Sequence, residues 1–294
     1  MYLKATAKIN LSLDVLRKRE DGYHEVQMVM QKIGMYDRIS LEALSGRPGI
    51  IFSSNLPYLP CDESNLAVKA AKLLMEQAGV TDGVDIRLDK FIPVAAGLAG
   101  GSTDAAAVLT GINRLFRLGI SKEDLMKLGK AIGADVPYCI LGGTALAEGI
   151  GELLSPLPDM PECRILLCKP PINVSTKEVY SGLRAAELTR HPDIEAMIAG
   201  LKAGNLEQIT DDACMYNVLE TVTADRYPVI HEIEQDMMHL GAVNAIMSGS
   251  GPTVFGIFTD KEKAETAKLR LKNKRPSSRV FLTWPDCSGK GGRA

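Results

Sequence analysis

The sequence predicts an α+β protein of two domains, and three observations carry that expectation. The first stretch alternates apolar and polar residues as a strand does. Further on, apolar residues recur at helical spacing between strand-like runs that show no regular βαβ repeat. A proline-dense segment then divides the chain near its middle. The length agrees, since 294 residues exceed the usual size of one domain. Hydrophobic residues make up 46% and charged residues 24%, which is enough apolar material for a sizeable core.

From Leu3 to Val15 the odd positions Leu3, Ala5, Ala7, Ile9, Leu11, Leu13 and Val15 are apolar, while Lys4, Thr6, Lys8, Asn10, Ser12 and Asp14 are polar. This reads as a strand with one wet face. A loop at Arg19 to Gly22 leads to strand-like runs at Glu25 to Lys32 and Arg38 to Ala43, closed by turn residues Ser45 to Gly49. Asn65 to Ala78 reads as a helix with Gly79 at its C-terminal cap, and Val84 to Leu88 as a strand. After Pro93 a Gly-rich loop feeds a helix whose Ala105, Val108, Leu109, Ile112, Leu115 and Phe116 follow 3.6-residue spacing. Ser121 with Asp124 opens another helix, which Gly133 ends.

Ser155 to Pro161 is the clearest linker candidate, which places one domain at 1–156 and a second at 162–287. The second half reads as a strand at Arg164 to Cys168, several helices between Thr176 and Leu240, and a strand at Ala245 to Met247. The loop SGSGPT, a strand at Val254 to Phe258, a helix at Asp260 to Lys272 and a strand at Arg279 to Thr283 follow. Helices packed on a largely antiparallel sheet fit this mixture. Residues 288–294 are small and polar and are expected to be a flexible tail.

A net charge of -2 gives no general attraction to nucleic acid or anionic membranes, so neither is expected as a partner, and a bound anion must be held by local geometry. The six cysteines are scattered without a CxxC pair, which reads as reduced structural thiols. No charged segment precedes an apolar one at the N-terminus, and no stretch approaches the ~18 apolar residues of a membrane span, so a cytoplasmic location is expected. Nothing in the sequence specifies an oligomeric state.

The strongest chemical motif runs from Pro93 through Val94, Ala95, Ala96, Gly97, Leu98, Ala99, Gly100, Gly101 and Ser102 to Thr103. Its glycines clear side chains from a loop ending at a helix N-terminus, so backbone N–H groups and the positive helix end can face a phosphate. It is neither a Walker A sequence nor the dinucleotide fingerprint, and a tight strand-to-helix turn is the alternative. Ser248 to Thr253 is a second small-residue loop, for which a plain β-turn is the simpler reading. Lys8 and Asn10 project together from the first strand, where solvated side chains would be ordinary, and Asp135 has the look of a turn or capping aspartate. In Asp21-Gly22-Tyr23-His24 an aromatic ring that could stack on a base stands beside an imidazole that could hydrogen-bond its edge.

Taken together and in order, AKINLSLDV, DGYHEV, PVAAGLAGGSTDAA, GADVPY and MSGSGPTVFG resemble the GHMP small-molecule kinase superfamily across nearly the whole chain. AKINL combined with DGYH resembles, within it, the kinases of 4-diphosphocytidyl-2-C-methyl-D-erythritol. The resemblance implies an N-terminal β-rich domain with a left-handed βαβ unit, a C-terminal ferredoxin-like domain, and an active site in the cleft. It implies transfer of the ATP γ-phosphoryl group to the substrate 2-hydroxyl, with Mg2+ accompanying ATP and no metal-binding carboxylate assigned. By motif, Lys8 and Asp135 match the catalytic pair and Asn10 a substrate contact, with Tyr23, His24 and Tyr180 at the cytosine. Met30 falls where relatives have an aromatic. Asn65 and Lys90 match adenosine-side residues, Pro93 to Thr103 the ATP-phosphate loop, and Gly249, Ser250 and Gly251 the loop facing the substrate diphosphate. Two alternatives stand beside this: a GHMP kinase for a smaller alcohol such as mevalonate or homoserine, and a non-catalytic module of the same fold. The presence of both Lys8 and Asp135 argues against the second.

Overall fold

A computed structural model of the chain describes residues 1–287; the tail expected at 288–294 lies outside the described residues. Two long strands, β1 (Tyr2–Lys18) and β2 (His24–Leu44), are followed by β3 (Ile50–Ser54), α1 (Leu66–Gln77), β4 (Gly83–Asp89), α2 (Gly100–Leu115), α3 (Lys122–Ile132) and α4 (Val136–Leu141). Next come β5 (Thr144–Glu148), β6 (Leu153–Leu157), β7 (Arg164–Lys169), α5 (Thr176–Gly182), α6 (Ile194–Ala203), α7 (Leu206–Ile209), α8 (Glu220–Arg226) and α9 (Val229–His239). The last elements are β8 (Asn244–Met247), β9 (Val254–Phe258), α10 (Lys261–Lys274) and β10 (Arg279–Thr283).

The described residues divide into two compact units, one holding Met1–Ala7, Met35–Val94 and Ala99–Gly142, the other Lys8–Gly34, Ala95–Leu98 and residues 143–287. In the first unit the later part of β2 pairs antiparallel with β4, from Arg38 opposite Asp89 to Leu44 opposite Gly83, and β3 runs parallel to β4. Parallel neighbours need a crossover, and α1 supplies it, making β3-α1-β4 a βαβ unit. Ile39, Leu41, Val84 and Ile86 from the strands meet Ala70, Ala71 and Leu74 of α1 and Val108, Leu109 and Ile112 of α2 in one apolar core. The helical spacing read from the sequence is what puts these residues on one face.

In the second unit the earlier part of β2 pairs antiparallel with β5, and β5 with β6. A separate sheet has the order β10-β7-β9-β8, antiparallel throughout. Counted along the chain the order is 4-1-3-2, with helices between its first and second and its third and fourth strands, which is the ferredoxin-like arrangement. Buried residues of this sheet and its helices include Ile165 and Leu167 of β7, Phe255 and Ile257 of β9, Ile233 and Met237 of α9, and Ala267 and Leu271 of α10, with Gly256 the β9 position that faces Met237.

Three local readings change. The two strand runs at Glu25 and Arg38 are one strand, because Gly34 is no break: a Cβ there would lie 2.6 Å from Trp284 Cε2, so glycine admits the indole against the strand. The first half of the proline-dense segment is β6, an edge strand, where a missing N–H is tolerated; its Pro156 lies opposite Ala145. The stretch after Gly133 is the short helix α4. Burial pushes the Cys163 and Cys168 thiols up to about 12 and about 11. Among the described residues no helix is long and apolar enough to cross a membrane.

Candidate active site

The polar side of β1 is a buried row and not a wet face. Lys8, Asn10, Ser12 and Asp14 are 5%, 0%, 0% and 4% exposed. Polar groups so far from water need partners. Lys8 Nζ donates to Asn10 Oδ1 at 2.7 Å, and the Asn10 amide donates to Met28 Sδ at 3.1 Å. Asp14 accepts from Val15 N, and its Oδ1 lies 2.8 Å from His191 Nδ1.

The loop after β8 closes over the Lys8–Asn10 pair. Gly249 has a φ of +58°, and a Cβ on it would stand 3.4 Å from Asn10 Oδ1 and 3.7 Å from Lys8 Nζ, so both conformation and close approach call for glycine. Asn217, which the sequence did not single out, holds this loop by donating to the carbonyls of Met247 and Gly249, each at 2.8 Å. The two Gly-rich loops touch: Ser248 Oγ donates to the Gly97 carbonyl at 3.0 Å, and a Cβ on Gly97 would lie 3.0 Å from Gly251 O. Ser250 Oγ pairs with Thr176 Oγ1 at 2.8 Å. SGSGPT is therefore more than a plain turn.

The rest of the first loop runs into α2. Ala99 is the N-cap residue, in the left-handed region at φ 56°, and makes no side-chain capping bond; Ala95 has a φ of 51°. Alanines held there are strained, a cost of order 1–3 kcal/mol each that the surrounding structure must hold in place. The N–H groups at the start of an α-helix have no intrahelical partner, so those of Gly100 to Ser102 are available to an anion. Thr103 already donates through its N–H to Ala99 O and through Oγ1 to Thr6 O. Pro93, Ala96 and Leu98 are buried, whereas Val94 and Ala95 are exposed and Ser102 is half-buried.

Asn65 is the N-cap of α1: its Oδ1 accepts from Ala67 N at 3.0 Å and its Nδ2 donates to Pro60 O. The neighbouring Leu66 side chain faces Gly101, 3.5 Å from where a Cβ would be. Lys90 points inward, its ammonium donating to Asp37 Oδ2 and, at 2.7 Å, to Asp104 Oδ2. Its side chain is 5% exposed, and its backbone N–H and carbonyl are both bonded to the Asn55 side chain. Asp135 stands at the N-cap of α4 with φ -82° and makes no side-chain capping bond, which removes the capping role as the reason for an aspartate there.

Tyr23 immediately precedes β2 and is 60% exposed, while His24, which opens the strand, is buried. The His24 and Tyr180 rings lie 5.4 Å apart between centroids, tilted by 42°. Burial, with Lys18 nearby, lowers the His24 pKa, so at neutral pH its ring is uncharged and offers one donor and one acceptor. Met30 is fully buried and paired with Ala145, and the methionine that reaches Asn10 is Met28.

Two family models match the chain: GHMP kinases N terminal domain over residues 65–143, and GHMP kinases C terminal over residues 197–277. A relative from Lachnospira eligens, 4-diphosphocytidyl-2-C-methyl-D-erythritol kinase, is 51% identical over 96% of this chain and 96% of its own length. Another of that name from Alkaliphilus oremlandii is 52% identical over 92% of each. The crystal structure of a 4-(cytidine 5'-diphospho)-2C-methyl-D-erythritol kinase superposes with a TM-score of 0.83 at 34% identity, covering 97% of this chain and 100% of that one. With its two-unit architecture and two interlocked glycine loops, the chain belongs to the GHMP kinases, in the 4-diphosphocytidyl-2-C-methyl-D-erythritol kinase family.

Proposed function

We propose that the protein transfers the γ-phosphoryl group of ATP to the 2-hydroxyl of 4-diphosphocytidyl-2-C-methyl-D-erythritol, giving the 2-phosphate and ADP in the non-mevalonate route to isoprenoid precursors, in the cytoplasm. The observation that carries the choice of substrate is the His24–Tyr180 ring pair, with the exposed Tyr23 next to His24 in the chain, which belongs to the same unit as the buried Lys8–Asn10 pair. A base stacks on aromatic faces and presents its edge to a neutral imidazole.

The alcohol oxygen attacks the γ-phosphorus as the bond to the bridging oxygen of ADP breaks, and the hydroxyl proton passes to Asp135. Lys8, seated by Asn10, orients the reacting groups and offsets phosphoryl charge. The N–H groups at the start of α2 receive the ATP phosphates, and the loop of Gly249 to Gly251 faces the substrate diphosphate. A magnesium ion brought with ATP would offset charge on the phosphates. Around the loop the Ser102 hydroxyl suits it as a ligand, since Thr103 donates to Thr6 and Asp104 is engaged by Lys90. A cation that keeps water and phosphate as most of its ligands needs little more from the protein.

A substrate panel read by ADP formation tests this: the diphosphocytidyl alcohol should turn over, and mevalonate, homoserine and galactose should not. Turnover of one of these in place of the cytidyl compound would overturn the assignment.

A further inference from the structure

Three buried charges beneath the first glycine loop have no part in the transfer step. Asp37 on β2 is 0% exposed, and the side chains of Lys90 and Asp104 are 5% and 4% exposed. They share one ammonium, as Lys90 Nζ donates to Asp37 Oδ2 and to Asp104 Oδ2. The other Asp37 oxygen accepts from the backbone N–H groups of Phe91 and Ile92, at 2.5 and 2.8 Å. Asn55 grips Lys90 itself, accepting from its N–H at 2.8 Å and donating to its carbonyl at 3.2 Å.

Residues 90–92 immediately precede the loop, and Asp104 lies in α2 immediately after it. The ammonium therefore joins the two ends of the loop. It also lies under the first residue of α2, because a Cβ on Gly100 would stand 3.1 Å from Lys90 Nζ and 3.1 Å from Ile92 Cγ2. Burying three charges is costly, and apolar side chains of similar size would serve stability as well or better. What the charges add is direction: each oxygen and N–H fixes a distance that apolar packing leaves loose. Asp104 keeps one buried oxygen without a hydrogen-bond partner among the described residues, so the arrangement is not optimised for stability alone.

We propose that Asp37, Lys90 and Asp104 are positioning residues for ATP, a buried clamp that holds the N–H groups of Gly100 to Ser102 in the array that receives the phosphates. The proposal rests on the reading of this loop as the phosphate site. Phosphate N–H contacts act only when aimed together, so a slackened clamp loses ATP affinity while the alcohol site is untouched.

The test uses the full-length enzyme. Asp104→Asn keeps the shape and one acceptor oxygen, and is expected to raise the ATP KM about 10- to 100-fold with the alcohol KM within about twofold and a smaller change in kcat. Lys90→Met/Asp104→Leu removes an ammonium and a carboxylate together, so the net charge of the cluster is unchanged and Asp37 keeps the N–H groups of Phe91 and Ile92 as partners; it should stay folded at the assay temperature yet still bind ATP weakly by calorimetry. If the double variant melts normally and binds ATP as tightly as the unmodified enzyme, the cluster is purely structural and the proposal fails. Gly100→Val separates the two readings. Should it leave ATP binding unchanged, the loop is not the phosphate site; should it weaken ATP while both clamp variants bind normally, only the clamp is wrong.

Discussion

Tyr23→Ala asks most directly whether the protein selects a cytidyl substrate. The ring is 60% exposed, so its removal leaves the core intact and stability should change by no more than about 0.5 kcal/mol. A tyrosine side chain buries ~200 Å2 when fully covered, so ~120 Å2 is showing; a base on one face covers about half of that, ~60 Å2. At about 25 cal/mol per Å2 the lost contact is worth ~1.5 kcal/mol, inside the roughly 1–3 kcal/mol range for base–aromatic stacking. That corresponds to about a tenfold loss in kcat/KM for the alcohol. Cytosine is remote from the transferred phosphoryl group, so the loss should fall mainly on the alcohol KM, with the ATP KM unchanged. Tyr23→Phe keeps the ring and should behave nearly as the unmodified enzyme. Steady-state constants for both substrates decide the matter: a raised ATP KM with an unchanged alcohol KM would move Tyr23 to the nucleotide side and remove the main support for the substrate assignment.

Asp135→Asn should leave both KM values close to normal and lower kcat by about 10²–10⁴-fold, the scale of a lost acid–base group; a fall below tenfold in the steady-state rate would show that the proton does not pass to this carboxylate. Gly100→Val pushes a branched side chain against Lys90 Nζ and Ile92 Cγ2, and should weaken ATP by about 5- to 150-fold, the equivalent of ordinary overpacking, as read from the ATP KM of a variant that melts above the assay temperature. Glu234 yields a pH prediction: burial pushes its carboxyl from 4.5 up to about 8. The unfolded chain releases this proton first, so the folded state is favoured below the unfolded pKa and loses stability as pH rises through the window, by at most about 1.4 kcal/mol per unit. Urea midpoints between pH 5 and pH 8 should fall less steeply in Glu234→Gln, and parallel slopes in the two proteins would discard the assignment.

Periodicity told which residues of β1 share a face but not what covers it. Lys8, Asn10, Ser12 and Asp14 alternate as a wet strand face would, yet their cover comes from far along the chain, with His191 at Asp14, Asn217 bridging Leu13, and Gly249 over Asn10. A local pattern carries no information about such distant contacts. Short strands were legible unevenly: β8, β9 and β10 were read from the sequence, whereas β3, β5 and β6, each five residues long, were not, since so few positions do not separate alternation from chance. Glycine-bearing motifs were legible because a left-handed or close-approach backbone restricts residue type at the position itself, as at Gly97 and Gly249, with φ of +74° and +58°.

The clamp under the loop marks where such legibility ends. Asp37 and Asp104 lie 53 and 14 positions from Lys90, each an ordinary charged residue by its neighbours, and only the fold shows that all three meet. The nucleotide contact expected of Lys90 and its observed partners are compatible if the residue acts through the backbone it holds. The ammonium secures residues 90–92 on one side and α2 on the other, and the glycines between them are free to shape themselves to a phosphate. Glycine lowers the steric barrier to that approach but raises the entropy that must be lost in making it. A loop with Gly97, Gly100 and Gly101 therefore needs its ends fixed more firmly than an ordinary turn does, and a buried ion cluster is one of the few devices that can do so without filling the space above it.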